Sequence, residues 1–255
     1  MKKDYHIHAQ ILRETVDSEA FIQTAIARGF GEICITDHMP LSLSNAADRI
    51  PAGRVSEYCE KVHELADKYK DKISIKCGIE IDFHPLLIDT IEDVLSQGEF
   101  EYVLGSSHMH LFIDGISSHK DYVKATFENT ICAAKTGYFH AIPHIDMYKW
   151  VFANPKRFHF PEQNFCETEH AELIDKTLMA IKENGLLLEI NSHFAETTGN
   201  IQNVYPSEFI TRRALNMNIG FSYGSDAHGA GHIGALLDEL REHSVYSKAI
   251  DIWEK

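Results

Sequence analysis

Tyr5-His6-Ile7-His8, almost at the first residue, is the stretch from which the fold is read. Alternate side chains of a strand share a face, so His6 and His8 project together while Ile7 turns into packing. Two imidazoles aimed at one point fill a core poorly and hold a transition metal well. His-x-His occurs by chance, and the pair acquires meaning from the rest of the chain. Later apolar runs also end in His, Asp or Glu: Thr36-Asp37-His38, Gly78-Ile79-Glu80, Ser107-His108-Met109-His110, Pro143-His144-Ile145-Asp146 and Ser225-Asp226-Ala227-His228. The chain reads as a set of strands delivering ligands to one place.

Strands are predicted at 31–38, 73–81, 102–106, 139–145, 186–191 and 219–223 after the first. Helices alternate with them at about 17–28, 55–70, 86–95, 120–135, 169–183, 206–217 and 233–243. Asp17 or Ser18 caps the first helix and Gly29 stops it; Pro206 suits the first turn of a later one. The stretches 148–167 and 191–205 look irregular, and loops of such length often form lids or binding loops. About seven strand-then-helix units, spaced by roughly 30 residues, argue for parallel strands with crossover helices. An open doubly wound sheet uses only the loops beside its switch point, whereas here nearly every strand ends in a candidate ligand. Only closure gathers them all. The expected fold class is therefore α/β, a (β/α)7 TIM-like barrel forming a single domain over 1–255.

At 255 residues the chain buries a sizeable core, and 44% hydrophobic with 24% charged residues is the balance of an ordinary soluble globule. A formal net charge of -14 argues against a general nucleic-acid or anionic-membrane surface. Five cysteines, odd in number and without C-x-x-C spacing, disfavour a disulfide framework or a structural zinc site. Met1-Lys2-Lys3-Asp4 lacks the apolar run of a signal peptide, and no segment approaches the ~18 apolar residues of a membrane span. The expectation is a cytoplasmic protein.

The strand-end residues His6, His8, Asp37, His38, Glu80, His108, His110, His144, Asn191, Asp226 and His228 form a nitrogen- and oxygen-rich set. Such donors suit zinc, manganese or iron, and a carboxylate among them can bridge two ions. Taken singly, each histidine is more readily a surface or hydrogen-bonded residue. That reading fails jointly, because the same chemistry recurs at the same end of each unit. Elsewhere, His63, His119, His232 and His243 read as solvated residues of helices or their flanks, and His159 and His170 as structural. No Ser or Cys stands in a G-x-S-x-G motif, Ser225 reads as structural, and no Walker-type or dinucleotide-type glycine motif occurs.

The succession His6-x-His8, Thr36-Asp37-His38, Gly78-Ile79-Glu80, His108, His144 and Ser225-Asp226-Ala227-His228 resembles the PHP family, named for polymerase and histidinol phosphatase. Leu188-Glu189-Ile190-Asn191 and Tyr205-Pro206-Ser207 are similar to its histidinol-phosphate phosphatase branch. The resemblance implies a distorted barrel that binds two or three divalent metal ions and hydrolyses a small phosphate ester. One ion would take His6, His8, Glu80 and Asp226, and a second would share Glu80 and take His108 and His144. A third would take His38 and His228. Family members often place a further histidine beyond the first pair; here the sequence reads Leu12-Arg13-Glu14, and Glu14 is the candidate substitute. The branch tends to carry an arginine soon after the Asn191 position, but 191–205 contains neither Lys nor Arg and has His193 and Glu196 instead.

The expected reaction is attack on phosphorus by a hydroxide shared between the ions that Glu80 bridges. Arg157 or Lys149 would hold the phosphate oxygens, and His228 or Asp226 would assist the proton transfer to the leaving alkoxide. The amine and imidazole of histidinol phosphate would meet the loop around Tyr148, Trp150, Phe152 and Glu196. A C–N hydrolase using the same kind of centre and a non-catalytic metal-bound scaffold are the rival readings. Nothing in the sequence speaks to oligomeric state.

Overall fold

Seven parallel strands pair in the order in which the chain makes them. They are β1 (Lys2–Ile7), β2 (Phe30–Ile35), β3 (Ser74–Asp82), β4 (Tyr102–Ser106), β5 (Ala141–Ile142), β6 (Leu187–Asn191) and β7 (Phe221–Gly224). The structure is a computed structural model and describes residues 1–41, 48–113, 115–116, 118–158 and 166–255. Between β1 and β5 lie α1 (Ser18–Ala27), α2 (Val55–Tyr69), α3 (Ile88–Ser96) and α4 (His119–Ala134). The later connections carry α5 (Tyr148–Ala153), α6 (Pro155–Phe158), α7 (Ala171–Glu183), α8 (His193–Thr198) and α9 (Glu208–Asn216), with α10 (Leu237–Glu242) and α11 (Tyr246–Trp253) at the end. Asp17 accepts from the Ala20 N–H at the start of α1, and Ser118 does the same for Asp121 at α4.

Closure is made by the ends of β1 and β7. The Asp226 N–H donates to the His6 carbonyl at 2.8 Å, and the His8 N–H donates to the Ala227 carbonyl at 3.0 Å. The buried Asp4 carboxylate reinforces this seam by accepting from the backbone N–H groups of Ser225 (2.9 Å) and Gly234 (3.0 Å). The (β/α)7 barrel expected from the strand-end pattern is the fold the chain adopts.

One irregularity in β1 decides which way its histidines face. Asp4 pairs with Ile33 and Ile7 with Ile35, so Tyr5 and His6 together oppose Cys34. A two-against-one bulge of this kind re-aims side chains. Tyr5 joins Cys34, Tyr102, Leu104 and Ala141 in a small apolar cluster inside the barrel, and His6 takes its place among the donors beyond it. Ile7 faces outward into the main core and is wholly buried. The barrel interior therefore has an apolar layer beneath and a layer of imidazoles and carboxylates at the carboxyl ends of the strands.

Several local expectations give way to tertiary demands. The predicted strand over 139–145 shrinks to two residues, because His144 takes φ +25° and turns the chain out of the sheet. The stretches expected to be irregular contain α5, α6 and α8; His159, within the first of them, lies outside the described residues. Pro206 precedes the capping residue of α9, Ser207, instead of opening the helix. The helix expected from 233 starts at Leu237, since the backbone before it is engaged elsewhere: Gly231 and Ile233 carbonyls accept from Arg28 and the Gly234 N–H donates to Asp4. His119, expected to be solvated, is buried with its ring edge-on to Phe152 at 4.1 Å.

Tyr58 of α2 ties the outer layer to the strand ends that carry the site. Its buried hydroxyl lies 3.0 Å from the Ile35 carbonyl and 2.9 Å from that of Gly78, and accepts from the Asp37 N–H at 3.3 Å. Tyr58→Phe keeps the packing and strips three buried backbone groups of this partner. Urea unfolding should show a loss of about 1–2 kcal/mol, and an unchanged midpoint would contradict this role.

Candidate metal centre

Glu80 of β3 stands at the middle of the centre, with one carboxylate oxygen turned to each of two donor sets. Its Oε2 lies 3.4 Å from both His6 Nε2 and His8 Nε2. Those two nitrogens are 3.0 Å apart, and Asp226 Oδ1 lies 3.1 Å from the His8 nitrogen and 3.7 Å from that of His6. On the other side Oε1 lies 3.0 Å from His144 Nε2 and 3.6 Å from His108 Nε2, and accepts from the Ser106 hydroxyl. His38 Nδ1 lies 2.8 Å from Oε2, and the His38 and His228 rings flank that of His8, each with its centroid 4.3 Å away.

Divalent metal ions fit this arrangement. Neighbouring ligand atoms about 2.1 Å from one ion stand about 3.0–3.4 Å apart, which is the spacing seen around the first donor set. Glu80 Oε2 is buried with only the ion-pair contact to His38 Nδ1 at 2.8 Å beside it, and makes no well-aligned hydrogen bond among the described residues. Buried lone pairs left in this state are costly unless something shares them.

A ring of outer contacts aims the donors. His6 Nδ1–H donates to Glu189 Oε1 at 2.7 Å, which turns Nε2 toward the other donors. His108 Nδ1–H donates to Asp82 Oδ1 at 2.6 Å with the same effect. Asn191 holds Asp226 Oδ2 at 3.2 Å and Glu189 Oε2 at 2.9 Å, freeing Asp226 Oδ1 toward the two histidines. His228 donates through Nδ1 to the Asp226 carbonyl at 3.0 Å. Asp226 (φ +52°) and His144 (φ +25°) occupy the left-handed region, a strain that the surrounding contacts must hold in place.

Burial opposes charge on every member, and mutual fields decide the outcome. For Glu80, burial would raise the pKa, but the imidazoles of His38, His6 and His108 hold it well below the carboxylate range. Asp226 is likewise held low, against burial, chiefly by His6 and His193. Burial disfavours an imidazolium at His6, yet Glu189, Asp226 and Glu80 keep its pKa well above the ordinary value. His8 goes the other way: burial, together with the charges of His38 and His228, holds it well below, so its ring is a neutral donor.

The centre opens onto a cavity of about 380 Å³. Leu111, Trp150, Phe194 and Tyr205 form its apolar wall, and Arg49, Asp48 and Arg157 bring charge. Arg157 is exposed and stacks on Trp150, its guanidinium 5.0 Å from the ring centroid. Lys149 is engaged elsewhere, with the Val204 carbonyl at 2.7 Å and Asp146 at 2.9 Å, and does not line the cavity. Glu14 is exposed on the turn after β1 and its charge acts on Arg54, so it does not stand in for the missing histidine. Glu196 pairs with His232 at 2.8 Å, and Tyr148 is wholly buried; neither lines the cavity, nor does Phe152.

Sequence reasoning did not assign the aiming residues Asp82 and Glu189, or Arg49. The first two carried a usable signal, since each stands two residues from a candidate, Glu80 or Asn191, on the same strand face. Arg49 sits in a loop and had none.

The architecture and the donor set define a parallel barrel with a buried cluster of donors that could hold metal ions. The chain belongs to the PHP family: the PHP domain matches residues 4–193. The "Probable histidinol-phosphatase" of Deinococcus radiodurans is 28% identical, over 94% of this chain and 91% of its own. The histidinol-phosphatase of Bacillus subtilis is 26% identical over 94% and 98% of the two chains. A crystal structure of histidinol phosphate phosphatase from Lactococcus lactis, complexed with zinc, L-histidinol and phosphate, superposes with a TM-score of 0.74. It is 19% identical and the match covers 97% of this chain and 93% of that one, so the barrel is shared. No helix among the described residues is long and apolar enough to cross a membrane.

Gly224 gives the centre a sharp test. A methyl group there would collide with the Glu189 carboxylate and lie 2.5 Å from His6 Cβ. Gly224→Ala should displace Glu189 from His6 and weaken metal retention, with circular dichroism little changed. Equilibrium dialysis against zinc measures this; wild-type retention would show that Glu189 does not aim His6.

Proposed function

We propose that this protein is a metal-dependent phosphomonoester hydrolase acting on histidinol phosphate. The observation that carries the reading is Glu80, buried and facing one donor set with each oxygen. His6, His8, Glu80 Oε2 and Asp226 Oδ1 would hold one ion, and Glu80 Oε1, His108 and His144 a second. His38 and His228 offer a third position. Bound there, zinc, manganese or iron would supply Lewis acidity to the phosphate oxygens and make water a stronger nucleophile near neutral pH.

The chain's own residues do the rest. Asp82, Glu189 and Asn191 fix the donors so that little reorganisation accompanies the reaction. Arg157 presents a cation at the cavity mouth, where the ester's phosphate enters. His228, with about a third of its side chain exposed (34%), would pass a proton between solvent and the leaving alkoxide through Nε2 when no third ion holds that nitrogen. Histidinol phosphate also carries an amine and an imidazole. Asp48, whose Oδ1 is buried without a partner, offers the amine a carboxylate, and Trp150, Phe194 and Tyr205 offer the imidazole aromatic walls. The Deinococcus and Bacillus relatives bear the histidinol-phosphatase name, and each matches nearly the whole length of the chain.

Two measurements test the reading. Glu80→Gln should lose most bound metal, by elemental analysis, and nearly all turnover of p-nitrophenyl phosphate. Full activity of a rigorously metal-free wild type would overturn the metal dependence. For substrate, kcat/KM for histidinol phosphate should exceed that for plain phosphomonoesters such as glycerol phosphate. Equal values would leave the phosphatase and remove the substrate.

A further inference from the structure

The stretch 191–205 supplies no cation to the site, and Arg157 lies exposed at the mouth. The cation inside the cavity wall is Arg49, only 9% exposed at its side chain. It is held in place from two sides. Its backbone pairs with His38, and its guanidinium forms an end-on pair with Asp82, Nη1 to Oδ2 and Nη2 to Oδ1, the latter at 3.2 Å. Nη1 also donates to the Met39 carbonyl at 3.1 Å.

A guanidinium has five N–H bonds in a rigid plane. The contacts with Asp82 and Met39 use both hydrogens of Nη1 and one of Nη2. Among the described residues Nη2 makes no second hydrogen bond, and Nε is buried with no partner. The unused Nη2–H and Nε–H are neighbours on one edge of the plane and run parallel. That edge is a fork of the shape that takes two oxygens of a phosphate. Asp82, which occupies the adjacent Nη1/Nη2 edge, also aims His108. One guanidinium thus links the aiming of a metal donor to a fork that has no protein acceptor among the described residues.

We infer that Arg49 is an anion-binding residue of this site, receiving two phosphate oxygens of the substrate on its Nε/Nη2 edge while Asp82 fixes the other edge. The inference rests on the phosphate-ester reading of the same site. Pinned on one edge, the arginine is already ordered when substrate arrives, so less freedom is lost on binding.

Arg49→Lys separates this role from support of Asp82, because lysine retains the charge and can pair with Asp82 but has no fork. Inorganic phosphate is the probe, titrated calorimetrically into the full-length metal-loaded protein, with metal content measured on the same samples. At equal metal occupancy, Arg49→Lys should bind phosphate about 10- to 100-fold more weakly, the scale of a lost bidentate charged contact. Arg49→Met should be at least as weak. Unchanged phosphate affinity in Arg49→Lys, or affinity restored once its metal content is brought to the wild-type level, would overturn the assignment and confine Arg49 to supporting Asp82. If the metal-loaded wild type itself binds no phosphate, the phosphatase reading falls and this inference with it. If the wild type binds phosphate and Arg49→Lys does so equally, only the assignment of Arg49 falls.

Discussion

A buried carboxylate surrounded by imidazoles is the constraint on which this structure turns. Glu80 is 1% exposed, and an ionised carboxylate at that depth is tolerated only with compensating charge and lone-pair partners. His6, His8, His38, His108 and His144 come to it from four other places in the chain, each from a strand or the residues just past one. A parallel barrel is the arrangement that lets so many strand ends point at one atom pair. The fold thus meets a local electrostatic demand with a global solution, and the donor cluster fits divalent metal ions that would complete it.

The histidines alone do not make the centre. Each can rotate, and each has two nitrogens; Glu189 selects the inward nitrogen of His6, Asp82 that of His108, and Asn191 the inward oxygen of Asp226. Beneath that ring the apolar layer of Tyr5, Tyr102, Leu104 and Ala141 seals the barrel. Tyr5 and His6, adjacent in sequence, serve these two layers at once, which a regular strand does not allow and the bulge in β1 does. Gly224 serves the same end by leaving out a side chain where Glu189 must approach His6. Small departures from ideal geometry are spent on aiming donors.

Much of this was legible from spacing. The alternation of apolar runs and amphipathic stretches identifies a parallel barrel, and the polar residue closing each run marks the end where the site lies. What spacing conveys poorly is anything set by contacts across the barrel. Glu14 and Lys149 were reasonable from residue type and position; Glu14 sits on an exposed turn, and Asp146 and the Val204 carbonyl engage Lys149 away from the cavity. Arg49 left no trace, since its place depends on pairing with His38 and on the carboxylate of Asp82. The late start of α10 has a similar cause, with Asp4 and Arg28 claiming backbone groups more than two hundred residues away in sequence (230 for Asp4 to Gly234, 205 for Arg28 to Ile233).

The seam between β1 and β7 has a bearing on how the molecule comes into being. Asp4 and Ser225, which meet there, are separated by 221 residues, and His6 and His8 share their donor set with Asp226 from the far side of that seam. A ribosome therefore makes Asp226 about 220 residues after it has made His6 and His8. Until then the emerging polypeptide carries imidazoles without the aspartate that completes their first donor set. An ion that needed all of these donors would bind the closed barrel and not a chain that stops before Asp226.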